Sequence, residues 1–203
     1  MLDPLIIKAV NKPLNSIASV LKNRGVNKDL VTITGFVLGI SSVFLLYFHF
    51  YKTALFLIML NRLFDGLDGA IARITTPTDA GGFLDITLDF IFYSGVVLGF
   101  GLSDPENNAA AASFLLFSFV GTGSSFLAFS IMAEKNRIKS RQYPDKSLYF
   151  SGGLVEGTET IIFFIFFCLF PHLFSILAIV FSILCWLTTC IRIYTGYRLL
   201  RAR

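Results

Sequence analysis

Long apolar stretches alternate with short polar breaks along most of the chain. A bilayer crossing takes about 20 mostly apolar residues. Six stretches qualify: Leu30–Tyr51, Thr53–Ile74, Gly82–Leu102, Ala109–Met132, Ser151–Phe170 and His172–Leu200. The breaks carry helix stops at His49 to Lys52, Pro77 to Asp79, Asp104-Pro105, the charged run Glu134–Lys146, and Pro171. Residues 1–29 follow a different pattern. Leu2, Leu5, Ile6, Ala9, Val10, Leu14, Ile17, Ala18 and Leu21 recur at helical spacing, with Lys8, Lys12 and Lys22 elsewhere. That predicts an amphipathic helix lying on the cytoplasmic leaflet, with Pro13 a point where it could break. Asn27 or Asp29 is placed to cap the first span, with Thr32 in its first turn. The expected fold is an all-α membrane protein. It is a six-transmembrane-helix bundle (30–203) preceded by a cytoplasmic amphipathic interfacial helix (1–29).

Composition strengthens this picture. The 203 residues are 55% hydrophobic and 15% charged, where a soluble domain carries about 25% charged residues, and the mean hydropathy is +0.72. The opening residues carry Asp3, Pro4, Lys8 and Lys12 with no long apolar core between them, unlike a cleavable signal peptide. Of the 17 basic residues, only Lys52 falls in a segment assigned to the outside. This asymmetry predicts a multi-pass protein of the inner (cytoplasmic) membrane with both termini in the cytoplasm. The net charge of +4 then reflects topology and contact with anionic membrane lipids rather than nucleic acid. Cys168, Cys185 and Cys190 stand singly in apolar helices, with no paired spacing, and read as inert packing. Small residues at Gly95, Gly99 and Gly101, and at Gly121, Gly123, Ser124 and Ser125, let helices approach closely, either inside the bundle or at a homodimer face.

The acidic residues carry the chemistry. Five of the 13 fall between positions 65 and 89. Charges inside a span are costly and usually functional. Asp65 and Asp68 are i, i+3 on one helix, and Asp85 and Asp89 are i, i+4 on the next, so each pair shares a face. At 1.5 Å rise per residue, Asp65 and Asp68 lie about 18 and 23 Å from the outer boundary, and Asp89 and Asp85 about 21 and 27 Å. Both pairs therefore reach similar depth in the inner leaflet. Arg62 and Arg73 are too few to neutralise four carboxylates, which need added cations to share that volume. All-oxygen ligation points to Mg²⁺ or Mn²⁺, with enough carboxylates for a two-metal site. Gly66 and Gly69, costly in a helix interior, suggest close approach of another group such as a phosphate. Arg73 lies one turn beyond Gly69 and could hold that phosphate.

Written out, Asp65-Gly-Leu-Asp68-Gly69-Ala-Ile-Ala72-Arg73, seven residues, Gly81, three residues, Asp85, three residues, Asp89 resembles the signature of the CDP-alcohol phosphotransferase (phosphatidyltransferase) family, D-x2-D-G-x2-A-R, seven or eight residues, G-x3-D-x3-D. All eight fixed residues are present. The resemblance implies an integral membrane enzyme of phospholipid biosynthesis. It would transfer a phosphatidyl or phospho-alcohol group from a CDP-linked donor, such as CDP-diacylglycerol, to a small alcohol acceptor and release CMP. It implies that Asp65, Asp68 and Asp85 are metal ligands, that Asp89 is both ligand and general base, and that Gly69 and Arg73 contact the CDP moiety. Family members often carry Pro-Asn-x-x-Thr at the first span. Here Thr32 matches and is expected at the nucleotide, but Lys28 and Asp29 depart from the pattern. The spacer of seven leaves a further polar contact open between Thr78 and Asp79.

Glu156 and Glu159, i, i+3 near the start of the fifth span, are expected in the acceptor pocket because intramembrane acids are usually functional. The alternatives are acids solvated at the helix start or paired with Arg192. The basic run from Lys135 to Lys146 reads as an anionic-lipid and topology anchor, or else as an acceptor-phosphate site. A cation or proton transporter using the same aspartates is the rival function. Glycines beside the acids and the single Arg73 favour nucleotide-phosphate chemistry.

Overall fold

The computed structural model describes residues 3–136 and 154–201, with side chains from residue 13 onward. Within these residues the chain is helical throughout: α1 (Asp3–Asn23), α2 (Lys28–Tyr47), α3 (Tyr51–Ile74), α4 (Asp79–Ser103), α5 (Pro105–Lys135), α6 (Gly157–Leu169), a short 3-10 turn at Pro171–Leu173, and α7 (Phe174–Arg201). Four helices, α2, α4, α5 and α7, are long and apolar enough to cross a bilayer. α3 has the length, 24 residues, but gives up apolar character to Arg62, Asp65, Asp68 and Arg73. α6 has only 13 residues, about 20 Å at helical rise. Most of the basic run at 135–146, and Ser151 at the expected start of the fifth span, lie outside the described residues.

Local chemistry explains the boundaries. The Asn27 side chain accepts from the Asp29 N–H at 2.9 Å and caps α2, so of the two candidate caps Asn27 serves. Thr78 caps α4 by accepting from the Gly81 N–H at 3.1 Å. Asp104-Pro105, expected to stop a helix, also starts one: Asp104 is the N-cap of α5 and Pro105 sits in its first turn, where its missing N–H costs nothing. α1 runs unbroken through Pro13. It ends at Gly25, whose φ of +72° is the left-handed conformation glycine adopts without a Cβ clash.

α1 rests on α3. Leu14 and Ala18 are buried with Val31, Leu67, Ala70 and Ile71. The Lys22 ammonium donates to the Ile74 carbonyl at 2.7 Å, satisfying an acceptor at the end of α3. A Cβ on Gly66 would meet Leu14 at 3.0 Å. Gly66 therefore admits α1, not a phosphate, which corrects the sequence expectation for that residue.

The main core draws on α2 to α7 and is largely aromatic: Phe92, Phe100, Phe164, Phe167, Phe174 and Phe181 are fully buried. Phe100 stacks on Phe174 at 4.8 Å and Phe163 on Phe181 at 4.3 Å. The small residues are used within the chain. Gly95 and Gly99 seat α4 against Ile40, Val43 and Leu46 of α2, Gly121 faces Trp186 and Thr189 of α7, and Gly123 faces Phe90 of α4. Cys168 and Cys185 are buried thiols and Cys190 is exposed, and none of the three is in a disulfide.

Candidate active site

The packing of α2, α3 and α4 brings together what the sequence separates. One carboxylate oxygen each from Asp65, Asp68 and Asp85 lies within 4.8 Å of the others. Asp68 is the deepest, at 1% exposure. Its Oδ2 accepts the Thr32 hydroxyl at 2.6 Å, which ties the first turn of α2 to the signature helix. Three converging carboxylates form an all-oxygen donor set, the chemistry that suits Mg²⁺ or Mn²⁺. The residues present therefore fit a divalent ion.

Asp89 stands beside this group and is held by a different partner. Arg62 Nη2 donates to Asp89 Oδ1 at 2.6 Å and Nη1 to Oδ2 at 3.4 Å. Nη1 also lies 3.4 Å from Asp65 Oδ2. Arg62 was expected to be a minor counter-charge, yet it pairs with two of the four aspartates. Its remaining N–H groups reach the Asn61 side-chain oxygen at 2.8 and 2.6 Å and the Tyr93 hydroxyl at 2.9 Å. The guanidinium also lies over the rings of Phe92 and Tyr93, at 4.9 and 5.1 Å. Asn61 and Tyr93 were missed from sequence, and Arg62 was read only as a nearby charge. The available signal was spacing: Arg62 is one turn before Asp65, and Tyr93 one turn after Asp89.

The other expected residues lie at the rim. Arg73 is exposed at the end of α3, with its Nη1 3.5 Å from a Cβ built on Gly69. Among the described residues no other atom lies within 4 Å of that Cβ, which leaves room for a ligand beside the Gly69 backbone. Asp79 is exposed in the first turn of α4, and Thr78 is engaged as the cap. Lys28 and Asp29, the departures at the first span, face Gly81: a Cβ there would lie 3.2 Å from Lys28 Nζ and 3.4 Å from Asp29 Oδ1.

A second cavity of ≈ 150 Å³ lies on the other side of Tyr93, lined among others by Thr122, Glu156, Thr160 and Arg192. Glu156 and Glu159 lie at the N-terminal end of α6. Glu156 is the N-cap of α6, and the Glu159 carboxylate accepts its backbone N–H at 3.0 Å, part of a capping box. Arg192, 7% exposed, donates to the Thr122 carbonyl at 3.2 Å, and among the described residues its Nε has no hydrogen-bond partner.

A helical membrane protein with three carboxylates poised for a divalent ion, and a fourth beside them on an arginine, has the site of a metal-dependent phosphoryl-transfer enzyme. The family model for CDP-alcohol phosphatidyltransferase matches residues 28–194, and the chain belongs to that family. It is 48% identical over 202 residues to the inner membrane protein YnjF of Escherichia coli, covering 100% of this chain and 98% of that protein. It is 31% identical over 94 residues to an archaetidylinositol phosphate synthase of Pyrococcus horikoshii, 46% of this chain and 50% of that one. Two crystal structures of the Mycobacterium tuberculosis phosphatidylinositol phosphate synthase share the fold. The form with CDP-DAG bound superposes with a TM-score of 0.68 at 23% identity, covering 91% of this chain and 93% of that one. The form with manganese and citrate gives 0.70 at 24% identity, covering 91% and 88%. The protein is thus an enzyme of phospholipid synthesis that uses a divalent metal and a CDP-linked donor, and membership of this family decides against the transporter reading.

Proposed function

We propose that the chain transfers the phosphatidyl group of CDP-diacylglycerol to a small alcohol at the cytoplasmic face of the inner membrane. The observation that carries this is the convergence of Asp65, Asp68 and Asp85 within 4.8 Å, beside an Asp89 held separately. Asp65, Asp68, Asp85 and Asp89 hold the metal, and Asp89 also takes the acceptor's proton. The bound metal supplies Lewis-acid polarisation of the phosphoryl group and offsets charge on the leaving phosphate. The acceptor oxygen attacks the β-phosphorus, its proton passes to the Asp89 carboxylate, and the bond from that phosphorus to the bridging oxygen breaks as CMP leaves with the electron pair.

Gly69 leaves the α3 backbone bare for the nucleotide, and Arg73 clamps its phosphate. Asp79 accepts from the ribose or base. Thr32 acts through Asp68 and contributes at the nucleotide side of the same cleft. Glu156 reaches the acceptor through the second cavity, and Glu159 orients it through the capping box. In this reading α3 and α6 complete six spans, residues 1–29 lie on the cytoplasmic leaflet, both termini are cytoplasmic, and two chains pair as a homodimer. Labelling of engineered cysteines should find residues 134–147 cytoplasmic and 103–108 external; modification of both from one side would break that topology.

The substrate assignment is tested by feeding labelled CDP-diacylglycerol to membranes with and without the protein and comparing lipid extracts. A new phospholipid that depends on the protein supports it. Identical extracts across a panel of polyol, polyol-phosphate and amino-alcohol acceptors would contradict it.

A further inference from the structure

We propose that the second cavity selects a zwitterionic acceptor, a small hydroxy amino acid whose carboxylate meets Arg192 and whose ammonium meets Glu156. This rests on the phosphotransferase reading above and names its acceptor class. Arg192 is 7% exposed and lines the cavity, and among the described residues its Nε has no hydrogen-bond partner. Its Nη1 is engaged by the Thr122 carbonyl at 3.2 Å, and its guanidinium lies over the Phe126 ring at 5.7 Å. A guanidinium buried this deeply is costly without an acceptor on its remaining donors. A planar carboxylate matches its fork.

Glu156 lines the same cavity and is the opposite charge that acts on Arg192. Its carboxylate is placed by the capping box of α6, and the residue before it is pinned to α7: the Val155 N–H donates to the Thr188 hydroxyl at 3.1 Å. Thr188 and Arg192 are i, i+4 on α7, so one helix face both sets the start of α6 and supplies the guanidinium. Among the described residues Arg192 is the one basic side chain lining the cavity. A phosphate dianion there would face the Glu156 carboxylate with a single cation to offset it. An amino alcohol would leave Arg192 unmatched, and a neutral polyol would match neither charge. A zwitterion meets both, and the aromatic wall of Phe90, Tyr93 and Phe119 suits its ammonium.

Tyr93 joins this cavity to the aspartates. Its ring is in the cavity wall, its hydroxyl donates to Asp89 Oδ2 at 3.5 Å, and a Cβ on Gly157 would lie 3.7 Å from that hydroxyl. The acceptor's hydroxyl reaches past Tyr93 to the donor. Its oxygen bonds to the β-phosphorus, its proton goes to Asp89, and CMP leaves with the electron pair. The ammonium and carboxylate pass unchanged into the lipid product.

The test ranks acceptors by kcat/KM for CMP release from CDP-diacylglycerol at saturating Mn²⁺. The probes are L-serine, ethanolamine, 3-hydroxypropionate, glycerol, glycerol 3-phosphate and inositol phosphate. We expect L-serine to exceed every other probe by about 30-fold or more, because a site built around polar groups rejects analogues that leave them unpaired. Arg192→Gln should raise the L-serine KM by about 10-fold or more, leave the donor KM unchanged and erase the preference for L-serine over ethanolamine. Glu156→Gln, whose amide oxygen still accepts the capping bond, should erase the preference over 3-hydroxypropionate. Use of any other probe as well as L-serine by the wild-type protein would overturn the proposal. The wild-type ranking retained in both variants would also overturn it. If a variant does not melt cooperatively, the ranking in the wild-type protein decides. No metal-dependent CMP release with any probe would instead sink the phosphotransferase reading.

Discussion

The Thr32 hydroxyl donates to Asp68 Oδ2 at 2.6 Å, joining the first turn of α2 to the most deeply buried carboxylate of the cluster. Groups that orient a metal ligand typically matter 10–100-fold in metal affinity. Thr32→Val keeps the shape and removes the donor. Its Mn²⁺ affinity, measured by calorimetry, should fall within about that 10–100-fold range. Wild-type affinity would mean that Asp68 is held without Thr32.

The three converging carboxylates should make metal binding visible as stability. A ligand present at 100 times its Kd stabilises the folded state by about 2.7 kcal/mol. Melting curves with and without Mg²⁺ or Mn²⁺ should therefore separate for the wild-type protein and coincide for Asp68→Asn and Asp85→Asn. A full metal shift in either variant would place the ion elsewhere.

Asp89 and Arg73 should fail in different ways. Asp89→Asn keeps the shape of the side chain but cannot take a proton, so turnover should drop about 10²–10⁴-fold while calorimetric donor affinity changes little. Arg73→Ala removes a charged hydrogen bond to phosphate and should weaken donor binding by about 1.5–3 kcal/mol. Equal loss of donor binding in both variants would make Asp89 chiefly a metal ligand.

Packing behind the site supplies a further check. A Cβ on Gly39 would lie 2.8 Å from both the Asn61 amide and the Phe92 ring. Overpacking of this kind costs about 1–3 kcal/mol, so Gly39→Ala should melt earlier and lose turnover as Asn61 is pushed from Arg62. An unchanged melting temperature would show that the α2–α3 contact gives way easily.

The aspartates were legible because their spacing is helical: i, i+3 and i, i+4 put each pair on one face, and two consecutive antiparallel helices bring the faces together at one depth. Arg62 was harder to read. Its main partner, Asp89, is on the next helix, and nothing local shows which way a long side chain will turn. The glutamates were placed at the start of an apolar run, and the structure has them at the start of α6, where the capping box they form could not be told from an acceptor site by spacing alone. Asp104-Pro105 was a true break, but the same pair that stops α4 also starts α5. Gly66 was read as a place for substrate because sequence does not show that Leu14, 52 positions earlier, returns to fill it.

The central claim is metal-dependent release of CMP from a CDP-linked lipid at the aspartate cluster. It is tested most directly by incubating the purified protein in lipid bilayers with CDP-diacylglycerol and a panel of alcohols, and following CMP with Mg²⁺ or Mn²⁺ and with chelator. The account predicts CMP release that requires both an acceptor and the metal, and that disappears in Asp85→Asn. Full turnover after exhaustive removal of metal, or unimpaired turnover in Asp85→Asn, would contradict it.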